Sequence, residues 1–271
     1  MVISMKKYMS FFRLRFSCGL QYRVAAWAGI ATQFAWGFME IMMFNAFYEA
    51  EPYAFPISLE ATVAYVWLQQ AFLAVFMPWM LENEIFENIA SGNVVYELVR
   101  PVSIYNMWFA RTTAYRLSRA VLRCMPILLV AGFLPKPFRM SLPADMESAV
   151  LFVITMILGL LVTVAVCMVI YVLTFYTISP EGIRIVFASG AEFLSGAVIP
   201  LPFFPEKMQK ILELLPFASM QNVPLRIYSG SMTGQEIVRA VCLQLFWLVV
   251  LTVLGKQLCR HAVRRVTLQG G

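Results

Sequence analysis

The chain has 271 residues, of which 61% are hydrophobic and only 13% charged, about half the charged share of an ordinary soluble domain. That balance excludes a water-soluble globular protein and calls for a bilayer. The formal net charge of +6 requires no nucleic acid, because basic residues flanking membrane spans meet anionic lipid.

The chain opens on residues 1–23, which read as an amphipathic helix lying in the membrane interface. Met5, Met9, Phe12, Phe16 and Leu20 share one face, while Lys6, Lys7, Arg13 and Ser17 fall mostly elsewhere. A cleavable signal is not expected, since the apolar run that follows is too long for one and ends in FNAFYEAEP without a small-residue cleavage site. Six runs then approach the roughly 20 mostly apolar residues that a spanning helix needs: residues 24–47, 61–81, 107–134, 148–174, 184–203 and 237–258.

Within the first run, in WGFMEIMMFN, stands Glu40. A carboxylate at membrane depth is costly and is a functional candidate by default. The second run carries Gln69 and Gln70, which read as hydrogen-bonding glue between helices. Between the second and third runs, residues 82–101 (ENEIFENIASGNVVYELVRP) form a polar, acid-bearing island of helix-and-turn character. An anchor alone has no use for such a segment, so it reads as a docking device.

Arg111, Arg116, Arg119 and Arg123 recur at mostly helical spacing in the third run. Its first half is therefore expected at the cytoplasmic interface, where long arginines snorkel. Glu192 lies in the fifth run among Gly190, Ser195, Gly196 and Ala197, residues small enough for close helix contact. For both Glu40 and Glu192 two readings stand: a substrate-pathway or proton role, or a structural hydrogen bond. After the fifth run, Pro200, Pro202 and Pro205 break the helix, and residues 206–215 form a short amphipathic helix that Pro216 stops. Ten residues cannot cross a bilayer, so 200–216 reads as a re-entrant or interfacial hairpin.

Lys and Arg are retained on the cytoplasmic side. With the N-terminus inside, only Lys136, Arg139, Lys207, Lys210, Arg226 and Arg239 face outward, and the other basic residues face inward. Both termini and residues 82–106 are thus expected in the cytoplasm. Cys18, Cys124, Cys167, Cys242 and Cys259 are odd in number and dispersed, so neither a disulfide framework nor a thiolate metal site is indicated. The single histidine, His261, sits in the basic tail CRHAVRR. No G-x-x-x-x-G-K-[ST], H-E-x-x-H or G-x-S-x-G occurs, so no catalytic residue and no metal ligand is assigned.

Six spans, the amphipathic start, GNVVYELVRP after span two and SGAVIPLPFFPEKMQKILELLPF after span five together resemble the permeases of type 2 ABC transporters, over nearly the whole chain. MWFARTTAYRLSRAVLRCMPILL and LLPFASMQNVPLRIYSG are similar to a bacterial permease subgroup that is grouped with a second permease and a daunorubicin-resistance-like ATPase. The resemblance implies an all-α polytopic membrane protein, one permease domain over 1–271, multi-pass in the bacterial inner membrane. Its six transmembrane helices would be joined by an N-terminal interfacial helix, a cytoplasmic coupling helix within 82–106 and a re-entrant outer hairpin at 200–216.

It further implies the membrane half of an exporter with no ATPase site of its own, ATP and Mg being held by a partner ABC ATPase. The coupling helix would offer Glu82, Glu84, Glu87 and Glu97 to basic groups and Ile85, Phe86, Ile89 and Tyr96 to a groove on that ATPase. Ser91-Gly92-Asn93 would make the turn, and Arg100 with Pro101 would end the segment. The pathway would lie at an interface with a second permease half, a paralogous heterodimer being preferred to a homodimer. Its lining would come from Phe34, Trp36, Glu40, Gln69, Glu192 and Ser195, which suits a hydrophobic or amphipathic substrate. The alternative from a different class is a proton-coupled secondary transporter centred on Glu40 and Glu192.

Overall fold

The structure is a computed structural model and describes residues 2–51, 55–177 and 180–264, with side chains from residue 5 onward; Arg265 of the inward basic set lies outside them. The described residues hold twelve α-helices, two short 3-10 turns and no strand. In chain order these are α1 (Val2–Gly19), α2 (Arg23–Ala50), α3 (Leu59–Ala71), α4 (Leu73–Phe76), α5 (Asn83–Ala90) and α6 (Val95–Leu98). They continue as α7 (Ile104–Phe133), α8 (Met146–Leu173), α9 (Pro180–Leu194), α10 (Glu206–Leu214), α11 (Asn222–Tyr228) and α12 (Gln235–Val263).

By length and composition, two stretches among the described residues suffice to cross a membrane, Met146–Tyr176 and Gln235–Val263. α2 and α7, at 28 and 30 residues, reach about 42 and 45 Å at 1.5 Å per residue but carry more polar side chains. The runs 61–81 and 184–203, expected as continuous spans, are broken. α3 has 13 residues and α9 has 15, about 20 and 22 Å against a hydrocarbon core of roughly 30 Å.

The breaks have local causes. Pro78 drives the residue before it, Met77, into an extended conformation at φ −74°, ψ 120°, and residues 77–82 leave the helix. The second break turns at Gly196, whose φ of +82° is a conformation that L side chains rarely adopt. Helix breaks free backbone carbonyls, and at membrane depth these must be covered by protein. Arg116, fully buried, does so at the first break. Its Nη1 donates to the carbonyls of Ala74 at 3.0 Å and Met77 at 2.9 Å, and its Nη2 to that of Met80 at 3.0 Å and to Cys167 Sγ at 3.1 Å. At the second break the Tyr65 hydroxyl donates to the Gly196 carbonyl at 3.2 Å and Gln69 Nε2 to that of Ala197 at 2.8 Å. Gln69, expected as glue between helices, thus ties α3 to the turn that follows α9.

α8 is the central post. Its C-terminal half, from Leu160 to Val172, is almost wholly buried, and the helix as a whole packs against α7, α11 and α12. Gly159 lets the chain after α10 come close, since a Cβ there would fall 2.3 Å from the Met220 carbonyl oxygen. Gln244 on α12, fully buried, donates to the carbonyls of Thr155 at 3.0 Å and Ser219 at 2.9 Å, tying α12 to α8. A second core joins α2, α3 and α7 around Trp67, Ile41 and Ile127.

α1 lies along α7, held by Tyr8 and Phe11 and by close passage of Gly19 past Ser118. Of the Met5–Leu20 stripe, Met5 and Met9 face outward, while Phe12, Phe16 and Leu20 are half-buried. α10 begins and ends where expected to within one residue, yet only Leu212 of its apolar face is buried; Met208 and Ile211 stay exposed.

Candidate functional site: an acid-rich helix and a membrane cavity

The acid-rich segment folds as α5, a turn and α6. Its start is anchored rather than free. Glu82 is buried, and Arg111 Nε donates to its Oε2 at 2.7 Å while the Thr112 hydroxyl donates to its Oε1 at 3.3 Å. The backbone N–H of Glu82 donates to the Tyr171 hydroxyl at 2.9 Å, which ties the segment to α8. The Arg111 fork continues to Glu84, whose Oε1 accepts from Nη1 at 3.3 Å and whose Oε2 pairs with Nη2. Arg15 of α1 approaches the same carboxylate at 3.6 Å. Burial raises the Glu84 pKa, but the Arg111 and Arg15 guanidinium groups outweigh it and hold the carboxyl below its usual range.

Ile85 and Phe86 point inward. Ile85 is fully buried and Phe86 meets Tyr171 edge-on at 5.1 Å, with the Arg184 guanidinium over its ring. Glu97 is buried too, accepting from Trp108 Nε1 at 2.5 Å and Asn88 Nδ2 at 3.2 Å. Glu82, Glu97, Ile85 and Phe86 were expected to face a partner; in the structure they bind the segment to its own chain, because α7 and α8 offer closer polar and apolar partners. Ile89 is half-buried against the same core. The exposed rim is made by Glu84, Glu87, Ser91, Gly92, Asn93, Tyr96 and Arg100. Gly92, at φ +76° and with open space around it, forms the turn at the tip.

Arg111 and Arg116 correct a second expectation. They do not snorkel; at 2% and 0% exposure they turn into the protein, where two carboxylates accept from Arg111 and five acceptors from Arg116.

The second feature is a cavity of about 780 Å³ between α2, the broken span α3–α4 and the chain around residues 192–198. Trp36, Glu40, Gln69 and Glu192, expected along a pathway, all line it. Gln70 Nε2 donates to Glu40 Oε2 at 3.3 Å. Two expected residues stand apart: Phe34 packs edge-on against Trp67 at 5.7 Å, and Ser195 is buried with its hydroxyl donating to the Glu192 carbonyl at 3.0 Å.

Sequence reasoning passed over Gln33. It lines the cavity at 4% exposure, and neither its amide nitrogen nor its oxygen has a hydrogen-bond partner. The signal was available, since Gly29, Gln33, Trp36, Glu40 and Met43 recur at helical spacing and all five line the cavity. Apolar lining comes from Leu73, Met77 and Trp79 of the broken span. No group of three or more potential metal ligands occurs among the described residues.

Among family models, one described as ABC-2 family transporter protein matches residues 34–270. No curated protein and no solved structure matches the chain.

Proposed function

The chain belongs to the ABC-2 family of transporter proteins, and from that premise we propose that it is the permease half of an ATP-driven exporter, powered through the rim of α5 and α6. Membership makes it a membrane permease component of an ABC transporter and implies association with an ABC ATPase. The finer reading is ours. The ATPase, carrying ATP and Mg, presses on Glu87, the Ser91-Gly92-Asn93 tip and Tyr96 from the cytoplasm, both termini of the chain lying on that side of a bacterial plasma membrane.

One observation carries this reading: the exposed rim and the cavity meet across residues 77–82, an irregular segment that α7 pins at both ends. Glu82 begins α5 and is held by Arg111; five residues earlier Met77 lines the cavity while its carbonyl is held by Arg116. A push on α5 therefore reaches the broken span through six irregular residues that Arg111 and Arg116 hold against α7, which leaves them little freedom to absorb it. Movement of that span alters the cavity wall at Leu73, Met77 and Trp79, which suits alternating access to a hydrophobic or amphipathic substrate. A second permease half, a paralogue in preference to an identical copy, completes the pathway.

The test is ATP turnover by the complex reconstituted with its ATPase. Glu87→Lys and Gly92→Pro are expected to abolish substrate-stimulated turnover while leaving membrane insertion intact, and unchanged stimulation in both would overturn the reading. The placement of Glu40 and Glu192 in one cavity favours a second reading, proton-coupled transport. That reading requires transport to survive ATP depletion and to collapse with an uncoupler.

A further inference from the structure

We propose that a second cavity, between α1, α2 and α7, is a binding site for a phosphate group of the kind an anionic lipid headgroup carries. It encloses about 450 Å³, and its charged lining is Arg15, Arg111, Arg119 and Arg123 against Glu82 and Glu84. Both carboxylates are already neutralised: Arg111 serves the two of them and Arg15 approaches Glu84. Arg119 and Arg123 make no ion pair among the described residues, and Arg123 also borders the first cavity, which Glu40 and Glu192 line without pairing with it.

Their surroundings are those of cations without a counter-ion. The Arg119 guanidinium lies 4.0 Å from the centre of the Tyr115 ring. Arg123 Nε is buried without a hydrogen-bond partner, and its guanidinium stands in the wall between the two cavities, so close to Gly29 of the first that a Cβ there would come within 2.5 Å of its central carbon. Two like charges four residues apart on one helix face repel each other. A doubly acceptor-rich anion between them removes that cost and matches the planar fork of each guanidinium.

The borders of the site favour a lipid over a soluble phosphate. Tyr22 is itself part of the lining, and Val24 and Trp27 stand beside it, at 72%, 86% and 65% exposure. Aromatic and apolar side chains in such positions seat at headgroup level, and basic pockets between helices on the cytoplasmic side hold anionic headgroups. The proposal needs the chain to be embedded in a membrane; it needs neither the ATPase nor any particular substrate, so its failure would leave the proposed function standing.

The test uses the full chain in zwitterionic micelles, with bound phosphatidylglycerol and phosphatidylcholine counted by native mass spectrometry. Arg119→Gln with Arg123→Gln is expected to lower phosphatidylglycerol retention at least roughly tenfold, with phosphatidylcholine unaffected. Arg119→Lys with Arg123→Lys should recover part of it. Arg13→Gln, on the exposed face of α1, controls for general surface charge and should change nothing. Ala25→Phe, which blocks the cavity from the α2 wall without touching an arginine, should reproduce the loss, so the test survives misfolding of the paired variant. Undiminished phosphatidylglycerol binding in folded Ala25→Phe or in the glutamine pair overturns the proposal. Displacement of the lipid by inorganic phosphate at equal concentration overturns the lipid as the source.

Discussion

Four arginines follow one another along α7, and they divide into two pairs with opposite fates. Arg111 and Arg116 are buried and engaged, one with two carboxylates and the other with carbonyls of a broken helix. Arg119 and Arg123, one and two turns further on, lie half-buried beside a cavity whose two carboxylates, Glu82 and Glu84, are already paired with Arg111 and Arg15. The chemistry of the side chain is the same in both pairs. What differs is whether the fold supplies acceptors, and this separates arginines that build the protein from arginines free to bind something else.

The largest effect should come from Arg116→Met. It removes the donor for the carbonyls of Ala74, Met77 and Met80, and a buried acceptor left unmade costs about 1–3 kcal/mol each. A loss of about 3–9 kcal/mol is therefore expected, seen as failure to purify a monodisperse chain or as a much lowered unfolding temperature in micelles. Arg116→Lys keeps the charge but not the fork, and should fall between. Wild-type stability in Arg116→Met would break the distinction between the two pairs.

Arg111→Gln comes next. It strands Glu82 in the interior, and removing one partner of a buried ion pair costs about 3–5 kcal/mol. Most of that is the unpaired charge rather than the pair, so Arg111→Met combined with Glu82→Leu should recover a large part of the loss. A double variant no better than the single one would mean that the Tyr171 and Thr112 contacts, not the charge balance, hold the start of α5. By contrast, Arg123→Met should leave the lipid-free chain unchanged or more stable by up to about 1 kcal/mol, because it removes a buried donor with no partner. The sign opposite to that of Arg116→Met is what sharpens the comparison.

How much of this could be read beforehand differs from element to element. α2, α7, α8 and α12 are long periodic or continuous runs that were legible as helices, and for α8 and α12 composition alone is decisive. The broken spans were missed although Pro78 and Gly196 stood in plain view, because hydropathy averages over a run and says nothing about whether its backbone is continuous. Arg116 could not have been read at all, since its carbonyl partners lie 36 to 42 residues away. In α5 the apolar face was legible, but an amphipathic helix does not state whether that face meets a partner or its own chain. Tyr171 and Trp108, remote in sequence, decide it for Phe86 and Glu97. In the cavity, Glu40 and Glu192 announced themselves by charge, whereas Gln33 on the same stripe of α2 passed as one more tolerable polar residue.

The smallest effect tests the boundary between the pairs, where Arg111 and Arg15 share Glu84. That carboxylate is 55% exposed, so solvent screens its pairing and the stabilisation is modest. Its folded pKa lies below the ordinary value, so its contribution is fully present above the unfolded pKa of about 4.3 and is lost as pH falls through the lower, folded value. Unfolding temperature measured in micelles from about pH 6 to about pH 3 should therefore fall slightly less steeply for Glu84→Gln than for the native chain. Glu87→Gln, at an exposed site without an ion pair among the described residues, is the comparison for removing a carboxylate from α5 that no arginine holds. If the Glu84 and Glu87 variants gave the same profile, Glu84 would belong with the free rim of α5, and Arg111 would be held by Glu82 alone.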